Sequence, residues 1–252
     1  MNKYRISAVS YLNTIPFIYG LKNHEILDQI ELTLDNPSVC AEKLLEDKAD
    51  IGLVPVAILP QIGYNKIISD FCIGSVGKVK SVILYSNSKI SEVNTIILDY
   101  QSRTSVLLAK LLANNYWNIE VSWINAAPGY EYIRLSEKQA GVVIGDRSFR
   151  ISKNYKYCYD LSEQWYLFTG LPFVFATWTS NKHIESDFLS KFNKALQYGV
   201  NNLMKAVNEI PDNSALEKPE LLEYLSNDIS YTLDEKKKKG LNLFLNLIND
   251  LK

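Results

Sequence analysis

The side chains that could do chemistry in this chain are mostly small hydrogen-bond donors, and they cluster at the ends of short β-rich runs. Ser10, Tyr11 and Asn13 follow an apolar run at 6–9. Ser38 comes just after a run at 30–34, behind Asn36 and Pro37, and Pro55 and Val56 follow a run at 51–54. Ser75, Lys78, Lys80 and Ser81 precede a run at 82–85. Ser102, Arg103, Thr104 and Ser105 follow one at 95–98, and Gly145, Asp146 and Arg147 follow one at 142–144. In open α/β sheets a ligand sits beyond the carboxyl ends of the strands, where these residues would meet. Hydroxyls, a carboxamide and helix starts suit the binding of one or two carboxylates. Each residue also has a purely structural use. Ser102, Thr104 and Ser105 could cap a helix, as could Asp146. Arg103 and Arg147 could form surface ion pairs, and Asn13 could occupy a turn. Most of the 16 tyrosines should be packing residues.

Conventional catalytic constellations are missing from the sequence. The two histidines, His24 and His183, have no second candidate ligand beside them, so an imidazole-based metal site is not expected. No Ser-His-Asp set, glycine-rich phosphate loop or HExxH motif occurs. Cys40, Cys72 and Cys158 are odd in number and widely spaced, which suits reduced, packed thiols.

These residues must be positioned by alternating strands and helices. The runs named above, with a further one at 119–123, alternate with helical patterns, as βα units feeding mainly parallel sheets do. They fall into two sets, 6–85 and 95–144, and two sets suggest two sheets. Asn36 ahead of Pro37 and Ser38 is a helix start, with Asn expected to accept from free amides and Pro tolerated in the first turn. The segment DYQSRTS at 99–105 leads into an apolar helix from about Val106, so its hydroxyls would surround a helix N-terminus, a natural anion site. An apolar run at 173–178 carries the chain back, giving a first lobe of residues 1–85 and 178–252 and a second of 86–177. Phe188, Phe192, Leu196, Val200 and Leu203 form a helical core stripe, as do Leu241, Phe244 and Ile248. Thr232 and Glu235 are spaced as a capping box for the last helix.

With 252 residues, 47% of them hydrophobic, the chain can bury a core large enough for both lobes. Its formal net charge is −1, and basic residues are dispersed except for the lysine run at 236–239, so a nucleic-acid partner is not expected. No apolar run approaches the roughly 20 residues that cross a bilayer, and the opening MNKYRISAVSYLN lacks the pattern of an export signal. A cytoplasmic location without membrane attachment is the expectation; protein partners are not assigned.

The motifs SYLNTIPF at 10–17, NPSVCAEKLLEDKADIGLVPVA at 36–57, SRTS at 102–105, IGDRSF at 144–149 and TGLPFVFATW at 169–178 occur in the order seen in one family. The chain resembles, over essentially its whole length, the chorismate dehydratases of the futalosine route to menaquinone. That resemblance implies a periplasmic-binding-protein type II fold with a ligand cleft between two lobes. It also implies removal of water from chorismate to give 3-[(1-carboxyvinyl)oxy]benzoate, with no cofactor. Asn13 and Asp146 are then the candidate catalytic residues, with Asn13 or a hydroxyl supporting the leaving hydroxide. The substrate's own enolpyruvyl carboxylate competes with Asp146 for the role of base. Ser102, Thr104 and Ser105 would hold one carboxylate, with Ser38, Ser75 or Ser81 near the other. Two other readings stay open: the 1,4-dihydroxy-6-naphthoate synthase of the same route, whose opening motif differs and which uses an active-site histidine, and a non-catalytic receptor for small acids.

Overall fold

A computed structural model describes residues 3–62 and 67–251. The strands are β1 (Tyr4–Val9), β2 (Ile30–Asp35), β3 (Ile51–Pro55), β4 (Ile67–Ser75), β5 (Val82–Ser86), β6 (Thr95–Leu98), β7 (Ser122–Asn125), β8 (Gln139–Ile144), β9 (Tyr157–Asp160), β10 (Phe173–Ser180) and β11 (Ser230–Thr232). Six of them form one sheet in the order β11-β4-β10-β3-β1-β2, and five form another in the order β7-β6-β8-β5-β9. Each sheet with its helices makes one lobe of an α/β fold.

Both sheets are mixed, with most strands of each running the same way, as expected. In the first, β1 runs parallel to β2 and β3, while β10 is antiparallel to β3 and β4, and β11 is antiparallel to β4. In the second, β6 is parallel to β7 and β8, and β5 is antiparallel to β8 and β9. Strands β5 and β10 are reversed where the chain crosses between the sheets, leaving the first after Ser75, entering the second at Val82 and returning at Phe173, and β11 is reversed at the edge of the first sheet. Strand β5, grouped with the first set by its place in the sequence, therefore pairs in the second sheet.

Helices α1 (Ile15–Lys22), α2 (Pro37–Leu45) and α3 (Leu59–Ile62) follow the first three strands of the first sheet, and α4 (Thr104–Leu112), α5 (Ser148–Ile151) and α6 (Leu161–Thr169) belong to the second. The C-terminal third adds α7 (Ser186–Asn201), α8 (Leu203–Asn208), α9 (Lys218–Glu223) and α10 (Glu235–Asn249). The stripe read from the sequence is buried on α7 at Phe188, Phe192 and Leu196. Helices α1 and α7 cross closely because Gly20 and Gly199 face each other's backbones; a Cβ on either would overlap a carbonyl, of Ala195 or of Pro16 respectively.

Two caps differ from expectation. Asn36 precedes α2 in extended geometry but makes no side-chain cap bond, so the start rests on Pro37 with its preset φ. At α10, Asp234 accepts from the Lys237 amide at 2.8 Å, while Thr232 is paired in β11 and unavailable as a cap. The main core runs through both lobes, and its centre in the first is Trp178, packed edge-on against Phe17 (centroids 5.8 Å apart) and Phe192 (5.1 Å). Each such pair contributes about 0.5–1.5 kcal/mol beyond area burial.

Candidate functional site

The strand ends of the two sheets face a shared, partly open cavity with about 520 Å³ of atom-free space, open solvent at its mouth included. Its polar lining is Tyr11, Asn13, Ser81, Ser102, Thr104 and Ser105; the apolar lining includes Val9, Pro37, Pro55, Ile73, Val79, Val82, Ile144, Phe175 and Ala176, with Gly145. Among the described residues no Lys, Arg, His, Asp or Glu lines it.

Several sequence-derived candidates thus meet at one place: Tyr11, Asn13, Pro55, Ser81, Ser102, Thr104, Ser105 and Gly145. Others are not part of the wall. Ser10 is exposed, its amide donating to the Asp35 carbonyl at 3.0 Å. Ser38 is half-buried in the first turn of α2, where Pro37 is the lining residue. Val56 is core. Ser75 is buried with its hydroxyl 2.6 Å from that of Ser162. Arg103 pairs with Glu42 at 3.2 Å on the partly exposed outer side of the cleft.

Asp146 and Arg147 stand behind the wall. The Asp146 carboxylate accepts from the Leu12 amide at 3.1 Å and so holds the tight turn Leu12–Thr14, which presents Asn13. Burial pushes the Asp146 carboxyl up to about 6, against the opposing pull of the Leu12 amide and Arg147. Arg147 donates to Asp99 (2.7 Å) and Glu131 (3.0 Å), both nearly fully buried, and its guanidinium lies 4.9 Å from the centre of the Tyr100 ring. Burial disfavours its charge, but the two carboxylates outweigh burial and raise its pKa further. An arginine so neutralised is a structural tie.

The donors that do line the cavity are fixed by local geometry. Helix α4 begins at Thr104, and its first-turn amides have no intrahelical partner. Ser102 accepts from the Ser105 amide at 3.0 Å, so Ser102 caps the helix and lines the cavity at once. The Thr104 hydroxyl donates to the Phe175 carbonyl and accepts from the Ala57 amide, both at 3.2 Å, tying α4 to the first lobe. Tyr11 reaches across the cleft to donate to Gln101 Oε1 at 2.5 Å, and burial pushes its phenol pKa up, so it stays a neutral donor. The Asn13 Oδ1 accepts from the Thr14 hydroxyl at 3.1 Å, and its carbonyl accepts from Tyr231 at 3.2 Å. Gly145 adopts φ 66°, and a Cβ there would meet the Tyr11 ring at 2.8 Å, so this glycine is required by both backbone and neighbour.

A family model described as menaquinone biosynthesis matches residues 4–250. The chain belongs to that family. Chorismate dehydratase of Thermus thermophilus is 26% identical to it over 269 residues, covering 97% of this chain and 94% of the relative. Among solved structures, protein AF1704 from Archaeoglobus fulgidus superposes with a TM-score of 0.75 at 12% identity, covering 99% of this chain and 97% of that one. A Candida albicans protein described as having the generic periplasmic binding protein fold superposes with a TM-score of 0.61 at 13% identity, covering 99% and 94%. Similarity at that level shows the fold: this menaquinone-biosynthesis family member has the periplasmic-binding-protein architecture. Among its described residues no helix is long and apolar enough to cross a membrane.

Sequence reasoning missed several parts of the family member's site. Gln101 is adjacent to the SRTS motif, yet nothing local shows that Tyr11 reaches it from 90 residues away. Phe175 lies within the run read only as a return strand. Tyr224 and Tyr231 come from the C-terminal third, where they carry no motif; they act from behind, through Ser81 and Asn13.

Proposed function

We propose that this protein is a chorismate dehydratase, a hydro-lyase that converts chorismate to 3-[(1-carboxyvinyl)oxy]benzoate in the futalosine route to menaquinone and works in the cytoplasm. The observation that carries the reading is a cavity between the lobes with apolar walls and uncharged donors at the start of α4, on Asn13 and on Ser81. The apolar side chains suit the ring. The Ser105 hydroxyl and first-turn amides of α4, with the positive end of its dipole, suit one carboxylate. Ser81 suits the other.

The reaction is driven by aromatisation. The proton on the ether-bearing ring carbon leaves to a base, its C–H electron pair becomes the new ring π bond, and the neighbouring C–O bond breaks with its electrons. The departing hydroxide takes up a proton, so the net loss is water. Among the described residues no carboxylate, imidazole or amine lines the cavity to act as base, the Tyr11 phenol is held neutral by burial, and the Asp146 carboxylate, outside the lining, accepts from Leu12. The substrate's enolpyruvyl carboxylate, folded over the ring, is the base in this reading. Asn13 has its carboxamide oxygen occupied by Thr14, which turns its NH₂ group into the donor for the leaving oxygen. The protein then contributes position and donors rather than a proton acceptor.

Incubating the purified protein with chorismate, without added metal or nucleotide, should yield the aromatic enol ether. Tight binding without turnover would make it a receptor, and conversion of a cyclic futalosine derivative instead would make it the naphthoate synthase. Replacing Asn13 by Ala should lower kcat by about 10²–10³-fold, as loss of a transition-state donor does. A kcat within a factor of three of wild type would remove Asn13 from the mechanism.

A further inference from the structure

Ser81 is held by constraints that converge from several parts of the chain. Its amide donates to the Val79 carbonyl at 2.7 Å, closing a three-residue turn around Lys80, which adopts φ 60°. That conformation is strained for a residue with a side chain and persists only where its surroundings enforce it. Here they do. The buried Asp160 carboxylate accepts from the Val79 amide (2.9 Å) and the Lys80 amide (2.7 Å), Lys80 Nζ pairs with Asp228 (2.9 Å), and the Ser81 carbonyl accepts from the Gly145 amide (2.8 Å).

The Ser81 hydroxyl is controlled in turn by Tyr224, whose OH lies 2.8 Å away and donates to it. Tyr224 is 2% exposed, does not line the cavity, and has the Phe149 ring edge-on at 5.0 Å. Tyr224 and Asp228 begin and end one wide helical turn, so a single C-terminal turn grips Lys80 and Ser81 in succession. Such turns recur at functional sites. A phenol is a better proton donor than an alkanol. Ser81 therefore accepts from Tyr224 and keeps its own proton for the cavity that it lines. Asn13 is the other cavity-lining group whose side chain bears on the Tyr224 hydroxyl.

We propose that Tyr224 is a positioning residue that fixes Ser81 as a hydrogen-bond donor toward the bound ligand, making the Asn13–Ser81 side of the cavity donor-only. The inference deepens the dehydratase reading and rests on it only for the identity of the ligand.

The test is a cycle of Tyr224→Phe, Ser81→Ala and the double variant. Turnover of chorismate and the dissociation constant of the enol-ether product are measured on each, with the melting temperature as a control. Tyr224→Phe keeps the ring and should raise KM and the product dissociation constant by about tenfold with kcat little changed, as loosening a group that holds a carboxylate of substrate and product alike does. In the Ser81→Ala background it should have no further effect, because its target is gone. Losses that multiply, or a Tyr224→Phe enzyme with wild-type KM and product affinity, would overturn the proposal. A second readout needs no ligand: the Tyr224 hydroxyl proton, followed by NMR, should exchange slowly in the wild type and much faster in Ser81→Ala. Unchanged exchange would overturn the proposal even if chorismate proved not to be the substrate, whereas faster exchange without chorismate turnover would retire the dehydratase reading alone.

Discussion

Two polar regions on either side of Gln101 show how differently this fold uses neutral and charged groups. On one side, Ser102, Thr104 and Ser105 open α4 and line the cavity with hydroxyls. On the other, Arg147 is locked between Asp99 and Glu131 in the second lobe, outside the cavity wall. Gln101 joins them, its amide donating to Asp99 at 2.7 Å and its side chain accepting from Tyr11. Charge thus sets the shape of the support, and neutral donors line the cavity. In the proposed reaction, a carboxylate that meets only neutral donors would lose less basicity than one paired with a full countercharge, which suits substrate-assisted elimination.

The largest effect should come from breaking the charged side. Replacing Arg147 by Met leaves two buried carboxylates without their cation and should cost about 3–5 kcal/mol in urea unfolding. A loss under about 1 kcal/mol would mean that Asp99 and Glu131 escape to solvent. Next comes the junction between the two regions. Gly145→Ala imposes a side chain at φ 66° against the Tyr11 ring and should cost about 1–3 kcal/mol, with a fall in kcat/KM that exceeds the change in melting temperature.

Asp146→Asn sharpens the comparison through pH. The Asp146 carboxyl is raised to about 6 in the fold, above its ordinary 3.8, so the folded state holds the proton more tightly than the unfolded one. Its contribution to stability is present below pH 4 and lost as pH rises through 6. The Asn variant lacks this titration, so its melting temperature should gain on wild type as pH rises from about 4 to about 7. The full shift corresponds to a ceiling of about 3 kcal/mol, less whatever the amide loses at Leu12. Turnover should remain within about tenfold of wild type; complete loss with product binding intact would make Asp146 the base. The smallest effect belongs to Arg103→Ala, whose half-exposed pair with Glu42 should contribute no more than about 1 kcal/mol and leave chorismate KM nearly unchanged.

The cavity's hydroxyl side was legible because its residues are local in sequence. In DYQSRTS, the serine that accepts from the Ser105 amide also lines the cavity, and strand ends predict where it lies. The strands β4 and β9 were not read, since Ile67–Ser75 interrupts its apolar residues with Ser69 and Asp70, and Tyr157–Asp160 is short and half exposed. The charged residues misled for a different reason. Arg147 and Asp146 follow a strand as binding residues do, but whether they face the cavity or its support is decided by Glu131 and Leu12, distant contacts that leave no spacing pattern. The same holds for Tyr224, which meets Ser81 across 143 positions.

A crystal structure with bound 3-[(1-carboxyvinyl)oxy]benzoate tests the central claim most directly. One carboxylate should lie against the first turn of α4 at Ser102 and Ser105, the ring among Ile73, Val79 and Phe175, and the ether-bearing carbon within reach of Asn13. A ligand whose carboxylates instead paired with Arg103 or a released Arg147, or which lay outside this cavity, would contradict it.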